Sequence, residues 1–260
     1  MVAEQMIRIE DRECIAVISD EPQALLAAKA AGRAVVGVEG KGEDIWNMRG
    51  IPYVVPSFED ATHELLELVA RRHLGLPWHI CLTDRLLIRE LMNEDAPHIP
   101  EEEYGPQEAI FRSRELLDLY RKNQYGFYEY GTWALMRRED GVLAGLAGVS
   151  NPDLPPAMEA RLESLRGKGD SLPWLELGYH IFRPFRRMGY GMEAVSAIAD
   201  YSRQVLGVRL CALIHRENQA SRRLAEGLGM KLIMEIDTES SGGRLLYAES
   251  PGPQQGKADL

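Results

Sequence analysis

Cysteine is scarce: Cys14, Cys81 and Cys211 are the only three in 260 residues. Their number is odd and their spacing matches no metal-binding pattern, so the simple reading of Cys14 and Cys211, both in apolar runs, is a buried thiol. Basic charge is also short. Thirty Lys and Arg stand against forty Asp and Glu, a formal net charge of −10. That balance argues against a general binder of nucleic-acid backbones, which needs a basic face, though it leaves room for a local basic pocket. No run of about 18 apolar residues occurs, so no membrane span is expected. Met1 to Arg12 is charged and lacks the apolar stretch of a secretory signal. A cytoplasmic, reducing location is the resulting expectation.

What is present is ordinary globular material. The apolar share of 45% can fill a real core. The length suits one large domain or two modest ones.

The chain reads in two patterns. In the first, Cys14–Ser19 is a short β-branched apolar run, the mark of a buried strand. Asp20 is placed to cap a helix that has Pro22 in its first turn. The Ala-rich stretch from Gln23 to Ala31 continues that helix, and Gly32 stops it. Ala34–Val38 and Tyr53–Val55 are further strands. Ser57, with Asp60 three residues on, is expected to cap a helix reaching toward Gly75, with Ala61, Leu65, Leu68 and Val69 on one face. Strand–helix alternation predicts a small βαβ-type module over 1–78. Some 60 residues make a marginal core, so docking on the rest of the chain or on a twin subunit, a homodimer, is expected.

Leu76-Pro-Trp78 marks a boundary, and a second domain is placed at 79–250, followed by a flexible tail at 251–260. Strands are expected at Leu86–Ile88, Thr132–Arg138, Val142–Val149, Trp174–Phe182, Arg209–Ile214, Lys231–Ile236 and Arg244–Ala248. The second and third join through the turn Glu139-Asp-Gly141. Two helices are expected within Glu94–Tyr130, and others over Ala157–Leu165, Gly191–Leu206 and Asn218–Leu228. Thr238–Gly243 joins the last two strands.

The chemistry points to Arg186-Arg-Met-Gly-Tyr-Gly191, between a strand and a helix start. Glycines let backbone N–H groups approach a ligand. Adjacent N–H groups at a helix N-terminus attract an anion, and the helix dipole reinforces them. Arg186 and Arg187 add fixed positive charge. Phosphate or pyrophosphate fits this physics. A tight turn with solvated arginines fits the pattern as well.

The surrounding motifs carry a resemblance. Arg-x-x-Gly-x-Gly is similar to the acyl-CoA signature of the GNAT N-acetyltransferase superfamily. Glu176-Leu-Gly-Tyr-His-Ile181 resembles the central strand of its ribosomal-protein-alanine acetyltransferase-like branch. Gly189-Tyr-Gly-Met-Glu-Ala194 resembles the loop and helix start. Asn218-Gln-Ala-Ser221 with Leu224 and Leu228-Gly-Met230 resembles the later helix, and Thr83–Glu90 with Glu94-Asp95 the opening. Four motifs in order span Thr83 to about Ala248. The resemblance implies an α/β GNAT fold: a mixed, mostly antiparallel sheet with a splayed strand pair and flanking helices.

It further implies acetyl-CoA, or a related acyl-CoA, as co-substrate, no metal, and direct attack by a primary amine on the thioester. On that reading Ile181, Arg186, Arg187, Met188, Gly189, Tyr190, Gly191, Met192 and Asn218 contact the cofactor, with the pyrophosphate on the amides of Arg187 to Met192. Glu176 is the candidate base, directly or through water, with a structural salt-bridge role as the alternative. Ser221 is the candidate beside the sulfur. A serine that merely caps its helix is the alternative, and Asn218 is expected to cap that helix in either case. Many members of the superfamily carry an acidic tyrosine where Ala225 stands here, so the proton donor would be Ser221, water or a tyrosine from elsewhere. Met230 stands where phenylalanine is usual. Tyr125–Tyr130 and Glu101–Glu103 fall where acceptor pockets form, and aromatics with acids suit a cationic amine. Core aromatics beside a solvated acidic run are the plainer reading. His180 and His215 show no partner in sequence and are read as structural.

Ile15–Gly32 resembles a late segment of a haloacid-dehalogenase-like phosphatase, with Asp20 where such folds hold magnesium. The nucleophilic Asp-x-Asp is absent, so this implies architecture only. Acyl transfer to an amine is the leading function. A non-catalytic acyl-CoA sensor and a magnesium phosphatase are the alternatives.

Overall fold

The computed structural model describes residues 1–39, 48–103, 106–167, 171–236 and 243–250, with only the backbone described at 106–108. The expected tail at 251–260 and most of the Thr238–Gly243 link lie outside these residues. Two compact units form, Met1–Trp78 and His79–Leu260.

The first unit holds a four-stranded sheet in the order β1-β2-β3-β4: β1 (Val2–Ile9), β2 (Arg12–Ser19), β3 (Ala34–Val38) and β4 (Val54–Val55). β1 and β2 form an antiparallel hairpin, while β2, β3 and β4 are mutually parallel. β1 was not expected. Its charged residues sit on an exposed face, and only Ile7 and Ile9 are buried, so its apolar signal is thin. Helix α1 (Pro22–Ala30) links β2 to β3 and buries Leu25 and Ala28. Asp20 does not cap it: the N-cap is Glu21, with no side-chain cap bond. Asp20 instead pairs with the N-terminal ammonium of Met1, brought alongside by β1.

Helix α2 (His63–His73) begins later than expected. Thr62 caps it, accepting the Leu65 N–H, while Ser57 bonds Asp60 ahead of it. Of the expected face Ala61, Leu65, Leu68 and Val69, Val69 is buried and Ala61 and Leu65 pack at its edge, while Leu66 and Ala70 complete the buried face. These residues pack on Ile7, Ile9, Ala16, Ile18, Val36 and Val38. Each large aliphatic side chain so buried contributes roughly 1.5–3 kcal/mol.

The second unit is built on an eight-stranded sheet, β11-β12-β10-β9-β8-β7-β6-β5. Its strands are β5 (His79–Leu82), β6 (Leu86–Glu90), β7 (Thr132–Arg137), β8 (Leu143–Ser150), β9 (Trp174–Ile181), β10 (Arg209–His215), β11 (Lys231–Ile236) and β12 (Arg244–Ala248). Every neighbouring pair is antiparallel except β9 with β10. β5, short and half-exposed, is the strand not foreseen. Its helices include α3 (Arg114–Tyr120), the short α4 (Gly126–Tyr128), α5 (Pro156–Glu163), α6 (Tyr190–Gln204) and α7 (Gln219–Gly227).

The Glu94–Tyr130 stretch departs from the two regular helices expected there. It winds through short 3-10 turns at Asn93–His98, Glu101–Glu103 and Pro106–Arg112, then α3, a π-turn at Arg121–Tyr125 and α4. Pro97, Pro100 and Pro106 remove helix donors there and break its regularity. Its apolar residues Ala96, Ile99 and Leu117 cover one sheet face with Leu91, Ala134, Leu146 and Phe182. α5 covers the same sheet further along, where Met158 and Leu162 meet Trp174, Cys211 and Leu246. Cys14 and Cys211 are buried, as expected. No helix among the described residues is long and apolar enough to cross a membrane.

Candidate functional site

The site begins where two strands part. β9 and β10 pair in parallel over Trp174–Arg209, Leu175–Leu210 and Glu176–Cys211 only. Beyond Glu176, β9 continues along β8 to Ile181, while β10 continues along β12 to His215. The divergence opens a cleft of about 210 Å³ between the strands. Glu176, Tyr179, His215, Asn218, Ser221 and Ala225 are among the residues that line it.

Glu176 stands at the fork. Burial raises its carboxyl above the usual range, and backbone N–H groups of Asp153 and Leu213 and the charge of Arg244 oppose that rise. Among the described residues Glu176 makes no ion pair within 4.0 Å, and Arg244 acts on it through charge alone. Alternation along β9 sends Glu176 and Tyr179 to opposite faces of the strand.

Asn218 caps α7, its Oδ1 accepting the Ser221 N–H at 3.1 Å. Ser221 therefore has no need to cap the helix, and its Oγ lies 2.8 Å from Tyr179 Oη. Tyr179 is a cleft hydroxyl that the sequence reading did not single out. Its signal was available: strand alternation puts it on the same face as Ile181, toward the loop. Ala225 is 4% exposed and offers no hydroxyl.

From Ile181 the chain turns through Arg183–Phe185 and reaches Arg187 and Gly189, both in the left-handed region at φ 62° and 86°. For Arg187 that conformation costs about 1–2 kcal/mol. Gly189 is the N-cap of α6, which starts at Tyr190 rather than Gly191. No side chain caps this helix. Its first return bond runs from Glu193 N to Gly189 O at 3.2 Å, so the amides of Gly189 to Met192 precede the helical ladder. A Cβ on Gly191 would stand 3.4–3.7 Å from Leu224, Ile181 and Tyr179, which places α6 close against the strand and α7.

The helix start is anchored from outside. Arg85 gives its Nε to Glu193 at 2.7 Å and its Nη1 to the Met188 carbonyl at 2.8 Å. Its guanidinium also lies 4.6 Å from the Tyr190 ring centre. Burial alone would raise the Glu193 carboxyl, but Thr83, the Arg85 amide and the Arg85 guanidinium hold it below the usual range.

The acidic run is not uniformly solvated. Glu101 and Glu102 are exposed, but the Glu103 side chain is only 3% exposed. It takes the Arg183 N–H at 2.6 Å, His180 Nε2 at 2.9 Å and the Arg186 guanidinium. Burial would raise this carboxyl, yet those three partners hold it low. Arg186 is thus partly neutralised, while His180 gains the partner that sequence could not show. Arg186 also donates to the Ile181 carbonyl at 2.8 Å.

The aromatic cluster divides. Tyr125 is core at 2% exposure, and Phe127 at 78% faces solvent. Tyr130 donates to Asn151 Oδ1 at 2.8 Å, just past Ser150, which is the register partner of Glu176.

Residues 85–231 match the family model described as Acetyltransferase (GNAT) domain. The match spans more than half of the chain, which therefore belongs to the GNAT acetyltransferase family and is an N-acetyltransferase by class. Among solved structures, a GnaT-family acetyltransferase from Bordetella pertussis is 23% identical, over 65% of this chain and 98% of its own, with TM-score 0.49. A ribosomal-protein-S5-alanine acetyltransferase from Vibrio fischeri is 14% identical, over 67% and 96%, with TM-score 0.49. A spermidine/spermine N-acetyltransferase from Vibrio cholerae is 16% identical, over 63% and 91%, with TM-score 0.46. The family match starts after the first unit and gives the haloacid-dehalogenase-like resemblance no support.

Proposed function

We propose that this chain transfers an acyl group, most simply acetyl, from acyl-CoA directly to a primary amine within a ternary complex. The observation that carries the reading is the parting of β9 and β10 at Glu176. It opens a cleft beside the uncapped start of α6, so one site offers a slot for an acyl arm and backbone donors for its pyrophosphate. In this reading the phosphates meet the amides of Arg187 to Met192, and Arg187 supplies more free charge than the Glu103-bound Arg186.

Glu176 serves as the base. A partly buried carboxyl with a raised pKa is better matched to accepting a proton near neutral pH than an exposed one. The acceptor approaches from the Tyr130 and Asn151 side, and the aromatic rings with nearby acids suit a cationic amine. Ser221 faces the sulfur. The first unit is a structural module at 1–78, and the catalytic domain is 79–250.

The test is a panel of amines (peptide N-termini, lysine, polyamines, aminoglycosides, amino acids) with acetyl-CoA and free-thiol detection. Amine-dependent thiol release supports transfer. Tight CoA binding without turnover on any amine favours the non-catalytic acyl-CoA sensor instead.

A further inference from the structure

A second hydroxyl stands beside the one assigned to the sulfur. Tyr179 Oη and Ser221 Oγ are 2.8 Å apart, and both residues line the cleft. Asn218 already caps α7, which leaves the Ser221 side chain free of that duty. Either hydroxyl can donate in this contact; the phenol is the stronger acid, and with the Tyr179 O–H donating the serine oxygen accepts. Burial raises the Tyr179 pKa, against the opposing bond to Ser221, and so keeps the phenol protonated in this role. The serine hydrogen is then directed to a different acceptor, and the chain of two hydroxyls polarises it as a donor.

We propose that Tyr179 is a positioning residue that fixes the Ser221 hydroxyl as a donor to the sulfur of coenzyme A, so that the pair stabilises the leaving thiolate. This rests on the placement of CoA in the cleft proposed above. In the transfer, the amine nitrogen forms the C–N bond and the C–S bond breaks with its electron pair on sulfur. The amine proton passes to Glu176 and on to solvent. Ser221 holds the thiolate, which takes its proton from water. The role fits Ala225: the later helix lacks a hydroxyl at that point, and strand β9 supplies one instead.

Other titrating groups lie close. Glu176 and His215 line the same cleft, Cys211 pairs with Glu176 in register, and α7 carries Arg222, Arg223 and Glu226. The measurement must therefore see sulfur itself. Free CoA is bound to the full chain and thiolate ultraviolet absorbance is followed against pH, with desulfo-CoA as blank. Burial raises Cys14 and Cys211 and pushes Cys81 up to about 12, and the desulfo-CoA blank subtracts whatever the protein's own thiols contribute.

The bound thiol should titrate about one pH unit lower in the native protein than in Ser221→Ala, a tenfold change in the thiolate ratio. Tyr179→Phe should reproduce most of that loss while leaving desulfo-CoA affinity unchanged. The double variant should be no worse than Ser221→Ala, and Ser221→Thr should restore the lower value. A bound-thiol titration that neither single variant moves, or one that the two move additively, overturns the pairing. Failure of the native protein to bind CoA, or binding indifferent to Gly189→Asp, overturns the site and this inference with it.

Discussion

Replacing Glu176 by glutamine keeps the shape of the side chain and removes its ability to take a proton. The structure predicts little change in the ground state. Glutamine Oε1 can still accept from the Asp153 and Leu213 amides that face the carboxylate. The native carboxyl has a raised pKa, so ionising it opposes folding: that penalty is absent at low pH and grows as pH rises from the ordinary carboxylate value through the raised one. Glu176→Gln therefore leaves the melting temperature at neutral pH unchanged or slightly higher. CoA affinity by calorimetry should also stay within about twofold, because the amides proposed to hold the pyrophosphate lie on another element. The turnover number should fall by about 100-fold or more, about 2.7 kcal/mol of barrier. The acidic limb of the native pH–rate curve, where activity rises as Glu176 ionises, should disappear. Thiol release followed from pH 5 to 9 on the best amine of the panel decides the matter. Equal turnover in both proteins across that range would show that the amine loses its proton without Glu176.

Gly189→Asp sets a carboxylate among the α6 amides and should weaken CoA binding at least tenfold, about 1.4 kcal/mol. Gly189→Ala bears the same strain at φ 86° and separates it from charge, so equal losses in the two calorimetric titrations would refute the anion site. Asp20 pairs with the N-terminal ammonium and is expected to take no part in transfer. Asp20→Asn should keep full thiol release, and the native protein should show no magnesium-dependent hydrolysis of a generic phosphate ester. Hydrolysis that vanishes in Asp20→Asn would instead make the protein bifunctional. Leu66, 1% exposed on α2, should cost about 2–5 kcal/mol when truncated to alanine, read as earlier denaturant unfolding of the first unit.

Much of the architecture could be read along the chain, because local patterns wrote it there. Ala34–Val38 and Lys231–Ile236 are short apolar runs bounded by polar or turn residues, and both are strands as read. Asn218 capping α7 and the left-handed Gly32, Gly75 and Gly229 past helix ends are choices of one or two residues, which sequence alone can specify. Reading failed where the signal was weak or mixed. β1 hides behind charged exposed residues, and prolines fragment Glu94–Tyr130 into turns too short for a periodic stripe. Asp20 lost its cap role to a terminus that only the β1–β2 hairpin brings near.

The site divides the same way. The glycine–arginine loop, Glu176 and Ser221 could be proposed from sequence because each sits in a motif a few residues long. The bonds of Glu103 to His180 and Arg186, and of Tyr179 to Ser221, were not. They join residues 77, 83 and 42 positions apart, and no local propensity encodes such a distance. Strand register and the packing of α7 against β9 decide them. The amino-acid sequence determined which groups are available and the local shape of the loop that presents them. Only the tertiary structure decided that one arginine is held by a buried carboxylate, that a strand tyrosine meets a helix serine, and that β9 and β10 part just beyond Glu176.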